Sequence, residues 1–383
     1  MGLFSSVKDK LSGGSNRSGI TEEQVKEALA KVQDPDLHQD IVALGFVRNI
    51  VIKGDKVSVE VNLTTPACPV KEQLKAQCES ELRAIPGVAH VEVTMTATTR
   101  AAQRDNNAAV VPALAGVKNI IAVASGKGGV GKSTSAVNLA YALARTGSKV
   151  GLLDADVYGP SIPRMVRITQ LAEEGGPNVI IPPLADGIKV ISVGMFTQAS
   201  DATILRGPMA GSVIKQFLTQ VQWGELDYLV IDYPPGTGDI QLTISQTAPV
   251  TGAVIVTTPQ EVSLIDVRKA MSMFKTLKVP VLGVIETMSY FVCDGCDKKH
   301  QIFRSGGGER LARESGVSLL GAIPIDPRVA VGGDEGRPHV AAFPEAPASQ
   351  AYIAAAGAAA QQLSILNAQA SGILNQFALE WKN

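Results

Sequence analysis

Four cysteines in 383 residues, at positions 68, 78, 293 and 296, are too few and too scattered for a disulfide framework. The formal net charge is only −1, which gives no general drive toward nucleic acid or acidic membranes. No apolar run approaches the ~18 residues that would suggest a membrane span. The opening MGLFSSVKDKL lacks the apolar core and small-residue cleavage site of a secretory signal. These absences point to a reducing cytoplasm, with neither a membrane span nor a nucleic-acid partner. Met1-Gly2 with Ser6 fits the loose myristoylation pattern, and Leu3, Phe4, Val7 and Leu11 would share a helix face. So short a stretch is read as a weakly amphipathic tail.

Hydrophobic residues, at 45%, suffice for a full core, and the length allows two domains. Residues 1–19 end in the spacer SGGSNRSG and are assigned as a flexible tail. From 20 to 99 the pattern reads helix, two strands around Gly54-Asp55, a helix from Pro69 to about Ile85, and a third strand. That order predicts a small α+β domain. Residues 100–116 have little periodicity and read as a linker. From 117 to 365, seven apolar runs alternate with helix-length segments, which predicts an α/β domain with a mostly parallel sheet covered by helices on both faces. Residues 366–383 are assigned to a C-terminal helix.

The strongest local signal is VASGKGGVGKST, which follows a strand and opens a helix. Gly126, Gly131, Lys132 and Ser133 fill the P-loop pattern G-x-x-x-x-G-K-[ST], so the second domain is expected to be a P-loop NTPase. The glycines let backbone N–H groups turn toward phosphate, and the helix N-terminus adds its positive end. The nucleotide-contacting set is Gly126, Lys127, Gly128, Gly129, Val130, Gly131, Lys132, Ser133 and Thr134, with Lys132 on the terminal phosphates. Ser133 and Asp232, the latter ending DYLVID, are the Mg²⁺ candidates. The Gly236 amide, after Pro234-Pro235, is placed to sense a γ-phosphate. Asp156 is assigned to orient the attacking water, and Asp154 to an ordinary strand-end or capping role.

CDGC supplies two of the roughly four ligands a tetrahedral metal site needs. Cys293 and Cys296 fit a redox dithiol, a zinc site recruiting His300, or half of a site shared by two chains. In the shared arrangement two thiolates from each chain suit zinc or a [4Fe–4S] cluster.

GKGGVGKST, with its second lysine, resembles the deviant Walker A ATPases. That resemblance implies that Lys127 acts across a homodimer interface on the facing subunit's nucleotide. DADVYGPSIPRM, LRGPM, DYLVIDYPPGTGDIQLT, TTPQEVSLIDVRKAMSMF and YFVCDGC resemble the Mrp/ApbC family of iron–sulfur carrier ATPases. DPDLHQDIVALGFV and LTTPACPVKEQL resemble the iron–sulfur-assembly domain that precedes the ATPase in many members. The resemblance implies an ATP-hydrolysing homodimer holding a [4Fe–4S] cluster on Cys293 and Cys296. It would take that cluster from an upstream scaffold and pass it to apoproteins. It also implies a switch segment at Tyr158, Gly159 and Pro160. One position departs: Thr287 stands where related ATPases carry a base-reading asparagine, so its contact with the nucleotide base is altered. Cys68, beside Pro69, is a candidate accessory thiol with a pKa lowered by a helix N-terminus. Cys78 falls on the Leu74–Leu82 helix face and is assigned to the core. The competing readings are a partition-type ATPase and a zinc-stabilised ATP-binding scaffold.

Overall fold

The computed structural model describes residues 19–102, 111–168, 170–196 and 207–380, with side chains at 207–208 and 371–380 left aside. The amphipathic tail and much of LRGPM lie outside the described residues. The chain divides into two compact units. One draws on Met1–Leu63 and Val70–Thr98, the other on Thr64–Pro69 and Thr99–Asn383.

In the first unit, Thr21 caps the helix Glu22–Leu29 through a reciprocal bond pair with Gln24. Val47–Lys53 and Lys56–Leu63 form an antiparallel hairpin across Gly54-Asp55, and His90–Ala97 joins in parallel after the helix Lys71–Arg83. Val57, Val59 and Val61 alternate inward from the hairpin, and Leu74, Cys78 and Leu82 are buried along one face of the second helix.

The second unit is built on an eight-stranded sheet. In chain order the strands are β1 (Val117–Ser125), β2 (Val150–Asp154), β3 (Leu184–Ala185), β4 (Ile188–Ser192), β5 (Leu226–Asp232), β6 (Gly252–Thr257), β7 (Val281–Glu286) and β8 (Ser318–Ala322). Their spatial order is β3-β4-β2-β5-β1-β6-β7-β8, all parallel except the β3–β4 edge pair. The pleat sends alternate residues to two cores. Ile121, Val123 and Val230 face the helices Lys132–Arg145 and Pro347–Glu380, while Ile120, Ala122 and Ile231 face Phe217, Ile244 and Leu264 on the other side.

Several features differ from the sequence reading. The short edge strand β3 makes the count eight rather than seven, because two residues carry no legible periodicity. The hairpin Glu173–Gly176 with Val179–Ile181 was likewise unread, being mostly exposed. The expected boundary between 365 and 366 falls inside one continuous helix, Pro347–Glu380. Its alanines Ala355, Ala356, Ala359 and Ala360 are buried, and alanine's helix propensity carries the chain through.

Candidate active site

Parallel strands place all their carboxyl ends on one edge, where ligands bind in open α/β sheets. Gly126 to Gly131 leave that edge from β1 and lead into the helix Lys132–Arg145. Gly129 and Gly131 have φ of +79° and +80°, which β-carbon-bearing residues rarely adopt. At Gly126 the constraint is space: a Cβ would sit 2.3 Å from the backbone between Asp266 and Val267. The Ser125 hydroxyl donates to the Lys127 carbonyl at 2.9 Å and fixes the start of the loop.

Lys132 is 6% exposed and sits among acidic groups. Its Nζ lies 2.6 Å from Asp232 Oδ1, 3.6 Å from Asp156 Oδ2 and 3.3 Å from the Ser133 hydroxyl. Burial raises the Asp232 pKa, with Lys132 and Ser133 opposing. The Asp154 pKa is also raised, first by burial and then by the Asp232 charge. Asp154 accepts from the Asp156 and Ile162 amides and the Ser192 hydroxyl, so it fixes the β2 turn and does not face the cavity. Asp156 lines the cavity of about 390 Å³ that holds Gly129, Lys132, Ser133 and Thr134.

Asp232 Oδ2 is buried and has no hydrogen-bond partner. An orphaned hard oxygen beside a serine hydroxyl fits Mg²⁺, whose ligands are oxygen atoms and water. Ser133 and Asp232 would hold that ion, which supplies charge neutralisation on phosphate oxygens.

Several expected positions have other engagements. The Gly236 amide donates to the Ser125 carbonyl at 3.2 Å, so meeting a phosphate requires exchange of that bond. Lys127 is half-buried and makes no ion pair among the described residues. Tyr158 is 63% exposed. Thr287 is 4% exposed, and its hydroxyl lies 2.7 Å from the Val130 carbonyl and 2.9 Å from that of Thr257. Its single proton serves backbone carbonyls of the P-loop and β6. The cavity also takes in Arg164, which lies within DADVYGPSIPRM but has no role assigned there, and Val329 and Asp334, which no motif marks. Val329 and Asp334 reach the cavity only through the helix Pro327–Asp334.

The dithiol loop leaves the same sheet edge from β7. Phe291–Val292 pairs with Lys299–His300 as a short hairpin, with Cys293 and Cys296 at its tip. The Cys293 amide donates to the Lys298 carbonyl, and the Asp297 amide returns to the Cys293 carbonyl. Amide N–H groups of Gly295 and Cys296, with the Cys296 thiol, converge on Cys293 Sγ and lower its pKa. Among the described residues no three His, Cys, Asp or Glu side chains are grouped to hold a metal. His300 is therefore not gathered with the two thiols.

The helix expected near Cys68 begins only at Lys71, with Val70 as its cap, so Cys68 lies in the loop before it. That loop belongs to the second unit: Ala67 enters the core, and the Thr65 hydroxyl lies 2.9 Å from that of Tyr228. Cys78 is fully buried, and burial pushes its thiol up to about 11.

A mostly parallel sheet, a P-loop at its carboxyl edge and a buried lysine–carboxylate cluster define a P-loop NTPase. Residues 116–360 match the family described as "NUBPL iron-transfer P-loop NTPase", and residues 22–95 match "Iron-sulfur cluster assembly protein". The chain belongs to that iron-transfer P-loop NTPase family, in its Mrp/ApbC group. The iron-sulfur cluster carrier protein of Deinococcus radiodurans is 48% identical over 339 residues, covering 88% of this chain and 94% of the relative. Its Escherichia coli K12 counterpart is 42% identical over 340 residues, covering 88% and 91%. A nucleotide-binding protein from Archaeoglobus fulgidus, solved in complex with ADP, shares the fold. Its TM-score is 0.50 at 39% identity, covering 61% of this chain and 96% of that one. No helix among the described residues is long and apolar enough to cross a membrane.

Proposed function

We propose that this chain is an ATP-dependent iron–sulfur cluster carrier that works as a homodimer in the cytoplasm. Its cargo is a [4Fe–4S] cluster held by Cys293 and Cys296 of each of two copies. The observation that carries this reading is the dithiol itself. Two thiols stand at a hairpin tip on the same sheet edge as the P-loop, with no third ligand grouped beside them among the described residues. A second copy supplies the two missing sulfurs. The names of the relatives support an iron–sulfur cluster as cargo.

In the nucleotide site, the P-loop amides and Lys132 bind the phosphates, and Ser133 and Asp232 hold Mg²⁺. Asp156 orients a water for attack on the γ-phosphate, and Lys127 reaches the partner's nucleotide as an arginine finger does. When phosphate arrives, Lys132 exchanges its Asp232 contact for phosphate oxygens and frees that carboxylate for the cation. Turnover is slow, and nucleotide state times the release of cluster to apo clients after loading from an upstream scaffold. Cys68 serves as an accessory thiol in that exchange.

Anaerobic reconstitution with iron and sulfide, followed by absorbance and sizing, tests the reading. The expected product is a dimer with about four irons, lost in Cys296→Ala. A monomer that binds zinc tightly and takes up no cluster overturns it.

A further inference from the structure

Glu286 ends β7 and Thr287 follows it, and successive residues on an extended chain face opposite sides. Thr287 turns to the nucleotide loop, where its hydroxyl lies 2.7 Å from the Val130 carbonyl. A Cβ added at the next loop residue, Gly131, would meet Thr287 Cγ2 at 3.6 Å, an ordinary van der Waals distance, so Thr287 lies directly beside the loop.

Glu286 turns to the dithiol loop and is 2% exposed. Its Oε1 accepts from the Ser289 hydroxyl at 2.6 Å and from the Gly306 amide at 3.3 Å; its Oε2 accepts from the Gly308 amide at 2.6 Å. Ser289 and Gly306 are the two ends of the excursion that carries Cys293 and Cys296. One carboxylate therefore ties the outgoing and returning strands of that loop together. The fit at the return is close: a Cβ at Gly308 would lie 2.8 Å from Glu286 Cβ, and one at Gly307 would lie 2.4 Å from the Pro259 carbonyl. Between the two grips, Met288 holds φ of +52°, an uncommon conformation for a residue other than glycine. Such conformations persist only where surrounding contacts over-determine them, and they cluster at switch segments.

We propose that the Glu286–Thr287 step is the mechanical link between the two sites, so that occupancy of the P-loop and occupancy of the dithiol alter each other's affinity. A ligand that shifts the Val130–Gly131 turn displaces Thr287, and the displacement reaches the next residue's clamp on the cysteine loop. Linkage requires the effect to be reciprocal. Glu286 and Thr287 act in this link as positioning residues, through the Val130 carbonyl on one side and the Ser289, Gly306 and Gly308 donors on the other. This inference rests on the dithiol being a metal-binding site, as the proposed function has it.

The test uses the full-length reduced chain, with Co²⁺ alone as the dithiol probe and ADP as the nucleotide. Co²⁺ binding is read by thiolate-to-metal absorbance, with and without saturating ADP. In the wild-type chain ADP is expected to shift the Co²⁺ Kd by about fivefold or more, and Co²⁺ to shift the ADP Kd by the same factor. Glu286→Gln, nearly isosteric, is expected to bind both ligands while the shift falls below about twofold. Ser289→Ala removes one arm of the clamp and should reduce the shift, a second route should the first variant fold poorly. Thr287→Val is expected to lose the shift and Thr287→Ser to keep it, a rescue that lost packing alone would not give. A full shift in both Glu286→Gln and Ser289→Ala, or no shift in a wild-type chain that binds both ligands, overturns the link. Cluster uptake is measured separately. A chain that takes up no cluster but keeps the ADP–Co²⁺ shift loses the carrier function and keeps the link.

Discussion

Replacing Lys132 with methionine tests the electrostatics of the site with no ligand present. Methionine keeps the apolar stem and removes the charge. In the native chain the ammonium lies 2.6 Å from Asp232 Oδ1 and 3.6 Å from Asp156 Oδ2, and Asp232 is fully buried. Without it, Asp232 keeps an already orphaned Oδ2 and loses its ion pair. Removing one partner of a buried pair costs about 3–5 kcal/mol. The adjoining cavity admits water, which favours the lower end, about 3 kcal/mol. At about 2–4 °C per kcal/mol for a domain of this size, the nucleotide-free variant should melt about 6–12 °C below wild type at a pH near 8. The pH dependence has a definite sign. Burial raises the Asp232 pKa in the folded state, and Lys132 opposes that rise. Its loss raises the pKa further. A folded acid with a raised pKa holds a proton that the unfolded chain has released, so its destabilisation is relieved as pH falls. Calorimetry at about pH 8 and about pH 5.5 should therefore show a deficit that shrinks on acidification. An equal deficit at both, or none at either, refutes the account.

Gly126→Ala should fold, yet lose about 100-fold in ATP turnover, because the new Cβ displaces the loop from Asp266 and Val267; steady-state kinetics with a melting control checks it. Lys127→Ala should lower kcat by about 1,000-fold through loss of a trans-acting charge, and unchanged turnover would remove that role. Iodoacetamide labelling followed by peptide mass spectrometry should modify Cys293 ahead of Cys78. Donors to Cys293 Sγ keep its thiolate populated at lower pH, whereas Cys78 is buried with its thiol pushed up to about 11. Tyr228→Phe should cost about 1 kcal/mol by removing the hydroxyl contact with Thr65, read as a fall in melting temperature.

Much of the architecture was legible because it is written in periodicity. The apolar strands of the sheet and the alternation at Val57, Val59 and Val61 follow from residue type alone. The two-residue edge strand and the exposed Glu173–Ile181 hairpin were not, since neither buries enough to leave a pattern. Asp154 was read as a strand-end residue, and its three donors give that reading its physical content. Glu286 went unmarked, although a lone carboxylate ending an apolar strand was a usable signal.

Local sequence encodes the nucleotide loop, because Gly126 to Thr134 is contiguous and its backbone conformation is set where it is used. It likewise determined that two thiols sit three residues apart. Which distant groups meet is set by packing: Lys132 with Asp232, Thr287 with Val130, Glu286 with Gly308. Those encounters depend on strand order. Strand order is set by how crossover helices pack on two faces of the sheet, and no local pattern along the chain carries it.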